Sequence, residues 1–308
     1  GGLWCTRCSR TFPEVAGIPD LRISSDRYLS LEEDREKARR LAELRDLSFA
    51  ELVAAYWRMT PETPPDQAAR FAAATADGVR RGAAWLDADG PLTPGERVLD
   101  IGCCTGGLVV AAAQRGAAVT GVDIALRWLV VARRLCEEHG VDAQLVAADG
   151  ALLPFRGATF DRTLCVETVE HTDDQQALLQ SALLSVRQGG AVRVVVANRL
   201  SVAPDPVARL VGLGYLPRPL AAGYVRLRGR GRYGFYRPVS AARLRSLVGL
   251  RDDVRVDAAP LPPPPVSASG GRRAAQRVYG LLRKLPLVSR LLTTIGPFLE
   301  ASGRVRES

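Results

Sequence analysis

The stretch Val98-Leu99-Asp100-Ile101-Gly102-Cys103-Cys104-Thr105-Gly106-Gly107 constrains this chain more than any other. An apolar run ends in an acid, turns through small residues and opens into a helical stretch over 107–114. Tiny side chains let a ligand approach the backbone of such a turn, and the helix start adds exposed N–H donors. One glycine-rich turn is weak evidence by itself. Its surroundings strengthen it, because over 93–200 short β-rich runs alternate with helical stretches, the pattern of an α/β parallel sheet wound with crossover helices. Strands are expected at 97–101, 118–122, 144–147, 162–166 and 192–197, and helices at 107–114, 126–139 and 174–186. Gly116 and Gly140 stand where C-terminal helix caps belong.

Two further acids fall at matching places. The second expected strand ends at Asp123, seventeen residues after Gly106, where a carboxylate can accept both ribose hydroxyls of an adenosine cofactor. The third ends at Asp149-Gly150, suited to hold an adenine amino group. Asp100, Asp123 and Asp149 at successive strand ends, with Leu153-Pro154-Phe155 and Phe160-Asp161 beyond them, resemble the class I S-adenosylmethionine-dependent methyltransferases. The resemblance implies a Rossmann-like, seven-stranded, mostly parallel sheet with helices on both faces. It implies S-adenosylmethionine as cofactor, held by Asp100, Gly102, Cys104, Gly106, Asp123, Ile124, Asp149 and Gly150. Cys104 departs from the family by standing at its middle glycine. The spacing Gly102-x-x-x-Gly106 argues against a nicotinamide dehydrogenase.

Glu167-Thr-Val-Glu170-His171 closes the fourth expected strand, at the end that faces the reacting methyl group in this fold. Only two histidines are present, and His139, beside Gly140, reads as an exposed helix end. His171 is thus the candidate catalytic base, with Glu170 orienting it, because imidazole takes up a hydroxyl proton near neutral pH. The segment also resembles the metal-binding stretch of the ubiquinone-biosynthesis O-methyltransferases and of the small-RNA 3′-end 2′-O-methyltransferases. Carried over, the metal ligands are Glu167, Glu170 and His171, and a hard ion such as Mg²⁺ clamps two acceptor oxygens. The bland reading leaves the glutamates as structural hydrogen-bond acceptors.

Before this core, Cys5-x-x-Cys8 lies in a short Gly- and Pro-punctuated start, 1–25, which resembles the second half of a zinc ribbon. Zinc needs four ligands, and only one cysteine pair is present there, so the favoured reading is a knuckle without metal. Residues 26–92 read as a helical cap, one helix over 26–59 and, after the breaker Thr60-Pro-Glu-Thr-Pro-Pro65, another over 66–86. Its aromatics read as core. After 200 come a helix at 240–248, a strand at 254–259, a proline linker at 260–265, an apolar-faced basic helix over 272–294 interrupted at Pro286, and a last strand at 297–305. That helix is expected to pack on the protein's own fold through Val278, Leu281, Leu282, Leu285, Val288, Leu291 and Leu292, with peripheral contact to an anionic membrane as the alternative.

With 308 residues, 47% of them hydrophobic, the chain can bury a full core. Its six cysteines are too few and too scattered for a disulfide scaffold, and no apolar run reaches membrane-spanning length, so a cytoplasmic protein is expected. The net charge of +9 is concentrated in 201–308, which holds 19 Lys and Arg against six Asp and Glu. Such asymmetry calls for an anionic partner, unless it is only solvated Arg-rich surface. The run from Tyr224 to Arg237, Arg alternating with Gly and aromatics, reads either as anion recognition or as a solvated loop.

The expected activity is methyl transfer to oxygen of a small, hydroxylated acceptor such as a natural product, a sugar or a prenylated phenol, anionic in one version. An RNA 2′-O-methyltransferase and a non-catalytic cofactor-binding protein are the alternatives. No recognisable RNA-binding module supports a nucleic-acid partner.

Overall fold

The computed structural model describes residues 2–6, 8–229, 233, 235–249, 253–264 and 268–305. Pro265 and part of the Arg–Gly run, 230–232 and 234, lie outside the described residues. The chain divides into two compact units, Gly1–Arg162 and Thr163–Ser308.

The first unit starts with three short strands, β1 (Gly2–Trp4), β2 (Thr11–Val15) and β3 (Ile18–Pro19), paired antiparallel in that order. No alternating pattern announces strands this short. Four helices follow, α1 (Leu31–Glu43), α2 (Phe49–Arg58), α3 (Pro65–Ala76) and α4 (Gly78–Asp87), where two were expected. The break between α1 and α2 has a local cause. Ser30 with Glu33 and Ser48 with Glu51 form capping boxes, each serine accepting from an N3 backbone N–H while the glutamate accepts from the cap backbone. The second Ser-x-x-Glu starts a new helix inside the single one the apolar period suggested.

Next come β4 (Arg97–Ile101), α5 (Gly107–Ala113), β5 (Ala118–Asp123), α6 (Leu126–Glu138) and β6 (Gln144–Ala147), with β4, β5 and β6 parallel, as expected. Gly107 is required by packing. A Cβ there would lie 2.4 Å from the Gly78 carbonyl carbon, so α4 crosses the first turn of α5 at backbone contact. Tyr56, Trp57, Phe71 and Trp128 form one aromatic cluster between α2, α3 and α6, the Tyr56 and Trp128 ring centroids 4.1 Å apart.

β7 (Phe160–Val166) leads into the second unit, with α7 (Gln175–Ser185), β8 (Val186–Ala197), α8 (Arg218–Leu227), α9 (Ala241–Val248), β9 (Val254–Ala258), α10 (Gly270–Leu282), α11 (Pro286–Ile295) and β10 (Phe298–Arg304). β10 pairs antiparallel with both β8 and β9. The seven-stranded sheet runs β6-β5-β4-β7-β8-β10-β9, the Rossmann-like α/β arrangement expected. α8 was not anticipated, because Pro217 and Gly223 mark it as loop, although proline is at home in a first helical turn.

The basic helix corrects an expectation. It forms as α10 and α11 on either side of the Pro286 break, but Val278, Leu281, Leu282, Leu285 and Leu291 are exposed rather than packed on the fold. Only Val288 and Leu292 of the predicted stripe are half-buried.

A buried ion cluster organises the first unit. Arg22 donates to both Asp20 oxygens and to Asp34, Arg35 Nε donates to Asp20 at 2.8 Å, and Arg127 Nη1 donates to Asp26 at 2.7 Å and to Asp34. Asp20, Arg22, Asp34 and Arg127 are all buried. Burial opposes ionisation of Asp20, yet the hydrogen bonds from Arg22 and Arg35 hold it below the usual carboxylate range. Removing one member of such a cluster leaves buried charge uncompensated, which costs about 3–5 kcal/mol. Asp34→Ala is therefore expected to lower unfolding stability by about that amount in urea titrations. A loss below about 1 kcal/mol, the range of an exposed pair, would show that the cluster is peripheral.

Candidate active site

The proposed cofactor residues sit on three loops that follow adjacent parallel strands. After β4, the chain takes positive φ at Gly102 (78°), Cys104 (48°) and Gly106 (79°) before α5 begins. The amides of Gly102 and Cys103 donate to the Val122 carbonyl, at 2.7 and 3.0 Å, which locks this turn to the end of β5. A left-handed conformation costs a non-glycine residue about 1–2 kcal/mol. The cost at Cys104 is offset by its amide, which donates to Asp123 Oδ2 at 2.8 Å. The cysteine at the family's glycine position thus holds a left-handed conformation that glycine adopts freely.

Asp123 Oδ1 accepts from the Ala125 amide at 2.8 Å. Both oxygens are thereby fixed by backbone donors, and each retains acceptor capacity, as ribose binding requires. After β6, Asp149 Oδ1 accepts from the Ala151 amide at 2.9 Å and Oδ2 accepts from the Ser24 hydroxyl at 3.2 Å. Ile124 and Gly150 border these two acids and are half-buried.

Electrostatics distinguish Asp100. Burial and the neighbouring charge of Asp123 push its carboxyl up to about 7. Asp123 is also raised, by burial, against the pull of the Ala125 and Cys104 amides and of Arg127. Two acids at adjacent strand ends, both disfavoured as anions, fit a cationic ligand, and S-adenosylmethionine carries an α-ammonium and a sulfonium. The thiols of Cys103 and Cys136 are pushed up by burial, so both are inert as nucleophiles.

A layer behind these loops was missed from the sequence. Arg22 Nη1 donates to the Ile124 carbonyl at 2.6 Å, and Asp34 Oδ2 accepts from the Leu126 amide at 2.9 Å. Asp34 so caps α6, whose own N-cap, Ala125, offers no side-chain acceptor. The one legible hint was Arg127 within the apolar run Leu126–Ala132.

In the second unit, Glu167 holds a positive φ of 54° and donates its amide to the Val195 carbonyl at 2.8 Å. A short 3₁₀ turn, Val169–His171, follows. Glu170 is 1% exposed, its Oε1 accepting from the Ala197 amide at 3.1 Å and its Oε2 lacking a hydrogen-bond partner. Burial pushes it up to about 8, with Glu167 adding to the rise. Glu170 therefore pins the turn to the end of β8, and its carbonyl accepts from the Arg237 amide at 2.8 Å. His171 is exposed, its ring centroid 5.3 Å from that of Tyr236. His139 is an exposed helix end, as expected.

Among the described residues, no three His, Cys, Asp or Glu side chains are gathered so as to hold a metal ion. Glu170 points into the fold while His171 is exposed, so the trio Glu167, Glu170 and His171 does not form the ligand set that the resemblance implies. Cys5 and Cys8 likewise have no third metal ligand grouped with them among the described residues.

Close to the turn, a cleft of about 460 Å³ is lined by Arg199, Arg218, Arg237 and Arg243 together with Asp173 and Ser240. Arg237 pairs with Asp173 at 3.3 Å, and Gln175 Nε2 donates to the Val169 and Arg237 carbonyls. Arg237 belongs to the Arg–Gly run read from the sequence, and the other three arginines carried no local signal.

Residues 98–190 match the family described as "Methyltransferase domain". Ubiquinone biosynthesis O-methyltransferase from Paracidovorax citrulli is 34% identical over 177 residues, covering 55% of this chain and 69% of that protein. The chain belongs to the class I S-adenosylmethionine-dependent methyltransferases. The protein of the same name from Thiobacillus denitrificans is also 34% identical, covering 55% of this methyltransferase and 70% of its relative. The match to the Idiomarina loihiensis protein, 32% identical, spans about three fifths of that relative, 61%. A solved Haemonchus contortus phosphoethanolamine N-methyltransferase 2, complexed with phosphomonomethylethanolamine and S-adenosylhomocysteine, is 18% identical with a TM-score of 0.50 over 74% of this chain and 53% of its own, a likeness of fold.

With Asp100 read as meeting a cofactor cation through its carboxylate, protonation of Asp100 is expected to oppose binding. Affinity for S-adenosylmethionine is expected to be flat above about pH 8 and to fall by about tenfold between pH 8 and pH 6, because one protonation must be reversed. Calorimetry across this range tests it, and Asp100→Asn should bind weakly at every pH. A wild-type affinity unchanged at pH 6 would remove Asp100 from the cation site.

Proposed function

We propose that this methyltransferase transfers the methyl group of S-adenosylmethionine to a hydroxyl oxygen of a small, anionic acceptor. The observation that carries the reading is His171, exposed at the end of a turn pinned by Glu170 and bordered by the arginine-lined cleft. The name shared by its relatives, O-methyltransferase, supports oxygen as the acceptor atom. A cleft of about 460 Å³ is of metabolite size, which favours a small acceptor over RNA.

In the proposed reaction a ring nitrogen of His171 accepts the hydroxyl proton as the acceptor oxygen attacks the methyl carbon. The carbon–sulfur bond breaks, its electron pair stays on sulfur, and S-adenosylhomocysteine leaves. Alignment of the three reacting atoms supplies much of the acceleration in such a displacement. Asp100, Gly102, Cys104, Gly106, Asp123, Ile124, Asp149 and Gly150 hold the cofactor in this reading. Glu170 acts as a positioning residue, through the backbone of the turn, and the arginines recognise a carboxylate or phosphate on the acceptor.

His171→Ala is expected to lower kcat by on the order of 10²-fold or more, with S-adenosylhomocysteine affinity unchanged by calorimetry. Activity is read as homocysteine-nucleoside release over a panel of hydroxylated acceptors with and without an anionic group. Wild-type turnover in this variant would return His171 to a structural role. Chelator is expected to leave the rate unchanged, since Glu167, Glu170 and His171 are not gathered as ligands. A loss restored by Mg²⁺ would mean that the trio reassembles around an ion.

A further inference from the structure

α10 is attached to its unit the wrong way round for a surface helix, and α11 continues its exposed apolar side with Leu287 and Leu291 while Val288 and Leu292 are half-buried. A helix on a globular surface ordinarily turns its apolar stripe inward. In α10 the inward side is polar: Gln276 Nε2 donates to the Pro262 carbonyl at 3.0 Å, and the Tyr279 hydroxyl donates to the Ala259 carbonyl at 3.2 Å. Arg283 Nη1, just past its end, donates to the Ala258 carbonyl and to Glu300 Oε1, both at 3.0 Å. Glu300 in turn pairs with Arg193 on β8, so the helix is anchored by a partly buried ion network.

The outward side is apolar. Val278, Leu281, Leu282, Leu285, Leu287 and Leu291 are between 40% and 78% exposed. Val278, Leu281, Leu282 and Leu285 recur at helical spacing on one face. Basic residues accompany them, Arg272, Arg273, Arg277, Lys284 and Arg290 being exposed, and no Asp or Glu occurs anywhere from Ala258 to Leu299. A second copy of this chain is a poor cover, because an isologous contact would bring these like charges together. No helix among the described residues is long and apolar enough to cross a membrane.

We propose that α10 and α11 dock this protein on the surface of an anionic phospholipid bilayer. The leucines enter the boundary between headgroups and acyl chains, and the arginines and Lys284 meet lipid phosphates. Apolar burial and attraction to anionic lipid then act together, as in interfacial amphipathic helices. The inference stands apart from the methyl-transfer reading.

Cosedimentation with vesicles tests it, using phosphatidylcholine alone and phosphatidylcholine with about one third phosphatidylglycerol. Wild type should bind the mixed vesicles at least about tenfold more strongly, and less as salt is raised. Leu281→Ser, Leu285→Ser and Leu287→Ser combined should abolish binding while circular dichroism and S-adenosylhomocysteine affinity stay unchanged, since these side chains already face solvent. Arg277→Gln, Lys284→Gln and Arg290→Gln combined should weaken binding and flatten its salt dependence. Equal binding to both vesicle types, no binding by wild type, or wild-type binding by the leucine variant would overturn the proposal. So would a wild-type dimer that the leucine variant converts to monomer.

Discussion

The buried cluster of Asp20, Arg22, Asp26, Asp34, Arg35 and Arg127 is the interaction on which the first unit depends. Its members come from three separate stretches of chain, and its formal charges balance, three acids against three arginines. Balance is the condition for burying so many ions, because each desolvated charge must find its counter-charge and hydrogen bonds within the cluster. The geometry goes further than neutrality. The same guanidinium of Arg22 that serves Asp20 also donates to the Ile124 carbonyl, and the same carboxylate of Asp34 caps α6. Charges that hold the N-terminal stretch in place therefore also fix the loop carrying Asp123.

At the proposed cofactor loops the protein concentrates two unfavourable features. Cys104 sits in a left-handed conformation, and Asp100 is held near neutrality by burial beside Asp123. Strain and raised carboxyl pKa values are characteristic of binding sites, where the ligand completes the electrostatics. Glu167, also left-handed, and the buried Glu170 repeat this combination in the second unit. There the carboxyl with one unpartnered oxygen holds the turn, while His171 beside it is exposed.

The sheet and the acids at its strand ends were legible because both rest on local patterns. Arg97–Ile101 and Gln144–Ala147 appear at the expected bounds, since an apolar run between turn residues suffices to define a buried strand. Ion partners about a hundred residues apart, such as Arg127 with Asp26, leave no local pattern to read. The helix boundary at Ser48 is written in its Ser-x-x-Glu, although the apolar period runs on through it. β1, β2 and β3 are too short to show alternation. For α10, periodicity placed the apolar stripe correctly and said nothing of which side faces solvent, because three polar side chains with good acceptors can anchor a helix as well as leucines can.

Part of the basic excess of the last third resolves into distinct physical roles. Arg283, and Arg193 from the sheet before it, share the single acid Glu300, and this ion network is structural. Arg199, Arg218, Arg237 and Arg243 converge on one cleft, where only Asp173 and Asp174 offset them. Arg272, Arg273, Arg277, Lys284 and Arg290 stand in solvent beside leucines, with no acid in their segment. Spread evenly over a surface, the same charge would be only solvated polarity. Gathered into one ion network, one cleft and one amphipathic face, it raises local anion attraction at separate places, and in the readings proposed above the concave one takes a small molecule and the extended, apolar-backed one a lipid surface.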